Sequence, residues 1–252
     1  TLVANLESIM APEAGIQAAI AKLLTDAKAA QKAYDDEVAA EQARQEAKKN
    51  ADAKVAELTK ALADALAKIA TECPNVKDQF TGTDINNSIN LLKVAIQNAY
   101  DNKTIVANYD NIMAPAEGIQ AAIAKLLTDA QATQKAYNDA AAAEQQAFQN
   151  ANTQIEALTK ALADALTTIA TECPDVKAQF PGTEISNNIA ALKAAVDKEL
   201  ENKTLAANYD KVMSPVAGIQ TAITRLIADA RAAQKAFTEQ SALDQAKVNA
   251  NK

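Results

Sequence analysis

The sequence predicts an all-α protein made of tandem repeats of about 100 residues. Each repeat is expected to be an antiparallel three-helix bundle, and the repeats to be joined end to end into an elongated array. The first observation is that the run GIQAAIAKLLTDA occurs at 15–27, returns unchanged at 118–130 and returns edited at 218–230. The second is that apolar residues recur at steps of three and four, the period of an amphipathic helix, without the alternation of a strand. The third is composition, with 49% hydrophobic but only 4% aromatic residues.

Landmark residues fix the boundaries of the repeats. The spacing is 103 and then 100 residues for Pro12, Pro115 and Pro215, and 100 residues for Cys73 and Cys173. The chain therefore divides into repeat 1 (1–103), repeat 2 (104–203) and the first half of repeat 3 (204–252). Because a repeat buries its apolar face against its neighbours, the half-repeat predicts either a piece of a longer array or a final half-unit that acts as a cap.

All glycines and prolines lie at two joints per repeat, so helices are expected between the joints. One joint reads Met-Ala/Ser-Pro-x-x-Gly, and the other begins with Cys-Pro and ends with Gly-Thr. In repeat 1 these joints predict helix A at 12–49, helix B at 53–72 and helix C at 84–113. Pro12 then lies in the first turn of helix A, where its missing N–H costs nothing. Thr83 and Thr183 are expected to be N-caps, each followed by an acidic residue that suits a helix start, Asp84 and Glu184.

Two breaks within these helices are open to interpretation. The polar stretch 50–52, with its counterpart 150–153, favours a turn between helices A and B, because Asn and Asp form helix weakly. The alternative is one continuous helix over 16–72. A weaker break at 101–104 and 201–204 would divide helix C.

Three antiparallel helices in about 100 residues, with helix C leading into the next helix A, resemble the spectrin-type repeat. The layout is also similar to helical-bundle repeats in the stalks of large bacterial surface proteins. The resemblance covers the whole chain and rests on period and layout. It implies a structural role.

Composition argues against several function classes. The net charge is −7 and no stretch is strongly basic, which disfavours nucleic-acid binding. No apolar run approaches the roughly 20 residues of a transmembrane helix, and the sequence has no signal-peptide pattern. Histidine is absent, and no Gly-rich phosphate loop or Cys-x-x-Cys spacing occurs. We therefore predict no enzyme, with no catalytic, cofactor-binding or metal-binding residue.

A few residues are candidates for more than packing. Cys73 and Cys173 are expected to be small buried residues near a helix end; the alternatives are cross-linking between chains and pairing with residues outside this fragment. The loop residues Phe80 and Phe180 are expected to plug the end of the bundle, or else to be exposed hooks for a partner. Three aromatic residues on the stripe of helix A are expected in the core: Tyr34, Tyr137 and Phe237. The acidic run 35–37 is expected on a solvated helix face.

These observations predict a structural or interaction protein, a tandem-repeat spacer or adhesin-type stalk segment with a protein partner or self-association. An extracellular or cell-surface location suits that role. The alternative is a helical carrier of a hydrophobic ligand such as lipid, held between amphipathic helices. A third hypothesis is assembly into a coiled-coil oligomer or fibre.

Overall fold

A computed structural model describes residues 3–250, and within them every regular element is a helix, as the sequence predicts. Two short 3₁₀ turns, Lys77–Gln79 and Lys177–Gln179, accompany the α-helices. The α-helices are α1 (Leu6–Glu72), α2 (Thr83–Asp101), α3 (Tyr109–Met113), α4 (Pro115–Glu172), α5 (Thr183–Glu201), α6 (Leu205–Met213) and α7 (Val216–Ala250). No helix in this range is both long and apolar enough to cross a membrane.

The chain forms two compact units, an N-terminal unit (Thr1–Gln134) and a C-terminal unit (Lys135–Lys252). The division falls within α4 rather than at the ends of the sequence repeats. The N-terminal unit thus combines repeat 1 with the first part of repeat 2. The repeat boundaries at 103/104 and 203/204 stay a prediction from the sequence.

Three segments supply the core of the N-terminal unit. They are the second half of α1, α2, and the segment from Ile105 into the first turns of α4. Gly82 contacts Leu62 at one end of α2, and Tyr100 contacts Glu41 at the other, so α2 runs antiparallel to α1. The core residues are Ala51, Val55, Leu58, Leu62, Ala65, Ile89, Leu92, Ile96, Ala99, Ile105, Ala116, Ile119 and Ile123.

The core of the C-terminal unit is built from the equivalent stretches one repeat later. The second half of α4, α5, α6 and the first turns of α7 surround it. The largest fully buried side chains of this core include Leu158, Val196 and Leu205. In this unit, too, the aliphatic residues fall three and four positions apart, which places them on one face of each helix.

The favoured turn at 50–52 is wrong, because α1 runs unbroken from Leu6 to Glu72 and α4 passes through 150–153 in the same way. Ala51 and Ala151 are fully buried in their cores, so this part of each helix packs instead of looping out. The polar neighbours face solvent and are paired along the helix, as in the Lys48–Asp52 ion pair. A few tenths of a kcal/mol of poor propensity at each polar residue is offset by this burial.

The break expected within helix C is present in both units. α2 ends at Asp101 and α5 at Glu201, and in each case a lysine follows in the left-handed conformation, Lys103 with φ 60° and Lys203 with φ 57°. The N–H of Thr104 donates to the Ala99 carbonyl at 2.8 Å, and that of Lys103 to the Tyr100 carbonyl at 3.0 Å. These two bonds form a Schellman motif, which satisfies the last carbonyls and stops the helix.

The expected N-cap and proline positions need correction. Thr83 and Thr183 are the first residues of their helices, and the N-cap positions belong to Gly82 and Gly182, both at φ 66°. The Gly82 carbonyl accepts the Asn86 N–H at 3.0 Å. Glycine fits this position because it adopts the positive φ without strain and because a Cβ would lie only 3.0 Å from Leu62. Pro115 begins α4 as expected, whereas Pro12 lies inside α1.

Candidate functional site

The two cysteines are buried at the ends of α1 and α4. Each is 1% exposed, and both are free thiols. Cys73 packs with Ile69, Val76 and Ala130, and Cys173 has the corresponding neighbours. The expectation of a small buried residue near a helix end is confirmed.

Phe80 and Phe180 close the ends of the helix pairs. Phe80 is half-buried against the cluster around Cys73, and Phe180 against the cluster around Cys173. The plug predicted from the sequence is therefore observed in both units.

The three aromatic residues expected in the core are exposed, so that prediction is wrong. Tyr34 lies on the first half of α1, where every residue from 3 to 39 is exposed. Tyr137 and Phe237 retain nearly half of their accessible surface. The helical period was identified correctly, but the first half of α1 and the second half of α7 have no helix packed on this stripe within residues 3–250.

An ionic cluster joins α1 to the end of α2 in the N-terminal unit. Arg44, only 8% exposed, donates from its guanidinium to Glu41 at 2.6 Å and to Glu37 at 2.9 Å. Lys103 also reaches Glu37 at 3.2 Å, and the Tyr100 hydroxyl donates to Glu41 at 3.2 Å. Of the acidic run 35–37, Glu37 is thus part of a tertiary contact, while Asp36 pairs with Lys32 along the exposed helix face.

Hydrogen bonding within this ionic cluster shifts the acidity of its members. The Arg44 guanidinium, followed by Lys103, lowers the pKa of Glu37. Donation from Arg44, followed by Gln45, lowers the pKa of Glu41. The Tyr100 hydroxyl donates to the Glu41 carboxylate, and this bond raises the pKa of Tyr100. At neutral pH the lowered pKa values keep Glu37 and Glu41 as carboxylates paired with Arg44, while the raised pKa keeps the Tyr100 hydroxyl protonated.

The same position in the C-terminal unit is an apolar groove. Arg44 precedes the buried Ala51 by seven residues, and Glu144 precedes the buried Ala151 by seven, so the two are equivalent. No arginine fills the space beside Glu144, and an open groove of about 550 Å³ remains. Its lining is mainly apolar: Tyr137, Ala140, Ala141, Phe148 and Leu200, with Glu144, Gln145 and Lys203 supplying the polar groups.

Glu144 also organises the start of α6. Its Oε1 accepts the N–H of Ala206 at 3.2 Å, whereas its Oε2 is buried without a hydrogen-bond partner among the described residues. Glu199 adds a second carboxylate, which accepts from the Thr204 hydroxyl at 2.6 Å and from the Asn208 amide at 2.7 Å. These two bonds lower the pKa of Glu199. Acceptors and negative charge at a helix N-terminus stabilise its free N–H groups.

The corresponding helix in the N-terminal unit begins later, and the two acceptors are missing there. Arg44 and Ala99 replace the two carboxylates, and neither side chain can accept a hydrogen bond. Residues 105–108 are turns and α3 begins only at Tyr109, whereas α6 begins at Leu205. The replacement of Glu144 by Arg44 was not predicted from the sequence, although the stretch between 35 and 50 is where repeats 1 and 2 differ most.

No group of three or more His, Cys, Asp or Glu side chains that could hold a metal ion occurs within residues 3–250. Comparison with known proteins found no matching family model, no matching curated protein and no matching solved structure. The functional conclusion therefore depends on this chain's own contacts.

Proposed function

We propose that this chain is a non-enzymatic structural protein, a segment of an array of three-helix-bundle repeats that acts as a spacer or stalk and presents surfaces to a protein partner. The observation that supports the proposal is the use of α4. Its first turns supply Ile119 and Ile123 to the N-terminal core, and its second half supplies Ile155 to the C-terminal core. One helix thus contributes to the cores of both units, as expected where each repeat packs on its neighbours.

The placement of the ion pairs supports the same function. Most ion pairs are exposed and run three or four residues along one helix, as in Lys125–Asp129 and Lys160–Asp164. Such pairs add a few tenths of a kcal/mol of helix stability and solubility. The two cores use equivalent positions of the repeat, such as Leu58 and Leu158 or Leu92 and Leu192, as suits one packed unit used several times.

The experiment is small-angle X-ray scattering with in-line mass determination, on this chain and on a version with one further copy of residues 104–203 inserted after Lys203. A spacer predicts a monomer whose maximum dimension rises by a constant increment with each inserted repeat. The variant Ala140→Pro tests the continuity of α4, because Ala140 lies at an exposed position of this helix between its two core segments. It should broaden the distance distribution because proline breaks a helix interior. An unchanged maximum dimension after the insertion would refute the spacer.

The groove beside Glu144 favours a second candidate, a carrier of an amphipathic ligand such as a lipid. Its apolar walls and a volume of about 550 Å³ are within the range of small-molecule sites. Native mass spectrometry of the purified protein tests for co-purified lipid. Ala141→Trp, which fills the groove, should abolish such binding, and Ala142→Trp, outside the lining, should not. Bound lipid that responds in this way would favour the carrier over the spacer.

A further inference from the structure

The first half of α1 carries a row of aliphatic side chains that nothing in the described chain covers. Ile16, Ile20 and Leu23 are 58%, 60% and 71% exposed. With Ala27 and Gln31 they follow one another at three and four residues, so they lie on one side of the helix. We call these five residues the open face.

The same residues are covered where the sequence recurs; Leu126, the counterpart of Leu23, is half-buried there. The run 15–27 is identical to 118–130, in which Ile119 and Ile123, the counterparts of Ile16 and Ile20, are 5% and 6% exposed. There the row packs against the second half of α1 and against α2. The third copy repeats this packing: Ile219, Ile223 and Ala230 are buried against the second half of α4 and α5. In both units the occupant of this face is a pair of antiparallel helices joined by a Cys-Pro loop.

Polar contacts fix the position of that helix pair on the row. Gln134 Oε1 accepts the N–H of Asn75 in the loop at 3.0 Å, and Gln234 Oε1 accepts the N–H of Asp175 at 3.1 Å. The open face has the same glutamine, Gln31, at the equivalent place. It therefore keeps the residue that binds the loop in both packed copies.

Charge complementarity points to the same occupant. Three residues before Gln134 and Gln234, the side chains of Gln131 and Arg231 donate to Glu72 at 2.9 Å and to Glu172 at 2.6 Å. The equivalent residue before Gln31 is Lys28, also a donor and a cation. A helix pair with a glutamate before its cysteine would meet Lys28 as Glu172 meets Arg231.

We propose that the open face is a docking site for one further helical hairpin of this repeat type, the equivalent of residues 151–201 with its Thr-Glu-Cys-Pro loop. Each hairpin within this chain is already packed against an equivalent row of residues, at 119–134 in the N-terminal unit and at 219–234 in the C-terminal unit. A second copy of the chain therefore offers no vacant hairpin. This inference rests on the proposed function in one respect, that the docking partner is a further copy of the helical repeat. It does not depend on the length or stiffness of the array.

The test places a copy of residues 143–203 directly before Thr1, so that a lysine precedes Thr1 as Lys203 precedes Thr204. Hydrogen–deuterium exchange is then compared over residues 16–31 with and without the added hairpin. Docking predicts exchange slowed by at least about a hundredfold, because three large aliphatic side chains leave water and the helix no longer opens locally. Unchanged exchange over 16–31, whether or not the added segment is helical, would overturn the proposal.

Two variants of the fused chain separate docking from a general effect of the fusion. Leu23→Asp should restore fast exchange over 16–31 and leave exchange over 83–101 in α2 unchanged. Lys28→Glu should also reduce the protection, and a glutamate-to-lysine change in the added hairpin, at the position of Glu172, should recover it. Protection that survives Leu23→Asp would contradict the proposed face.

The unfused chain supplies the remaining comparison. If residues 16–31 become protected as its concentration rises, with a dimer mass, the occupant is a second copy and the proposal is overturned. Failure of the scattering test, by contrast, would leave protection in the fused chain intact, so the two proposals fail separately.

Discussion

At the scale of single residues, the lysines that end α2 and α5 hold a conformation that costs L-residues about 1–2 kcal/mol. Lys203 has φ 57° and makes no ion pair within the described residues, whereas Lys103 pairs with Glu37. Lys203→Gly should therefore stabilise the C-terminal unit by up to about 1 kcal/mol, since glycine's greater unfolded-state entropy offsets part of the gain. Amide exchange in α5 measures the change. Lys203→Ala is the control and should bring no stabilisation, because alanine keeps the Cβ.

Arg44 gives the N-terminal unit a dependence on pH. The lowered pKa values of Glu37 and Glu41 mean that the folded state favours both carboxylates in their charged form. Their contribution is thus fully present above the unfolded value of about 4.5 and is lost as pH falls through the lowered folded values. Arg44→Met should destabilise the unit at pH 7, and the difference from the parent should shrink between pH 5 and pH 3.

Exchange of the α2 amides at several pH values measures this difference. Lys49→Met is the matched control, because Lys49 has only a 3.7 Å contact with the exposed Glu46. It should change little at any pH. A deficit in Arg44→Met that stays constant from pH 7 to pH 3 would show that packing of the arginine, and not its charge, supplies the stability.

At the scale of elements, the unbroken α1 depends on burial at the place where the sequence favours a turn. Ala51 is fully buried, so Ala51→Asp places a carboxylate in the core and should lower the free energy of unfolding of the N-terminal unit by more than about 2 kcal/mol. Ala43→Asp, at an exposed position of the same helix, should cost less than about 1 kcal/mol. Equal effects of the two changes, measured by exchange in α2, would favour a turn at 50–52.

The start of α6 depends on a carboxylate from another helix. Glu144→Ala removes the acceptor for the Ala206 N–H and should fray the first turn of α6, at a cost of about 0.5–2 kcal/mol. The measurement is the exchange rate of the amides at 205–208, with Glu156→Ala, exposed on the same helix, as the control. If the first turn keeps its protection, the Thr204 and Glu199 contacts suffice to hold it.

Local sequence predicted the helices better than their ends. Periodicity identified the long helices, and the break near 101–104 was visible as a polar, weakly helix-forming patch. A similar patch at 50–52 gave the wrong result because its outcome depends on Ala51, which is buried by residues far along the chain. Thr83 resembled an N-cap, but Gly82 takes that position in a left-handed conformation, which glycine adopts without strain and in which a Cβ would crowd Leu62. A tertiary contact decided the first case, and the backbone freedom of glycine decided the second.

At the scale of the whole molecule, composition and period predicted the helical class. They did not predict the bounds of the two compact units. The repeat is a unit of sequence, whereas packing groups the second half of one long helix with the elements that follow it. On the stripe of helix A, Ile119 is therefore buried, whereas Tyr34, predicted in the core, is exposed. The ionic cluster around Arg44 and the groove beside Glu144 were not predictable, since neither follows from the period.

The two buried thiols allow the opening rate of each unit to be measured separately. A thiol reagent reaches Cys73 or Cys173 only when the end of α1 or α4 opens, because each cysteine is 1% exposed. Labelling kinetics on the Cys73→Ala and Cys173→Ala chains would then time the opening of one unit at a time. The near-identity of the repeats, which blurs most spectroscopic signals, is an advantage here, since the two thiols share neighbours and differ mainly in the unit that contains them.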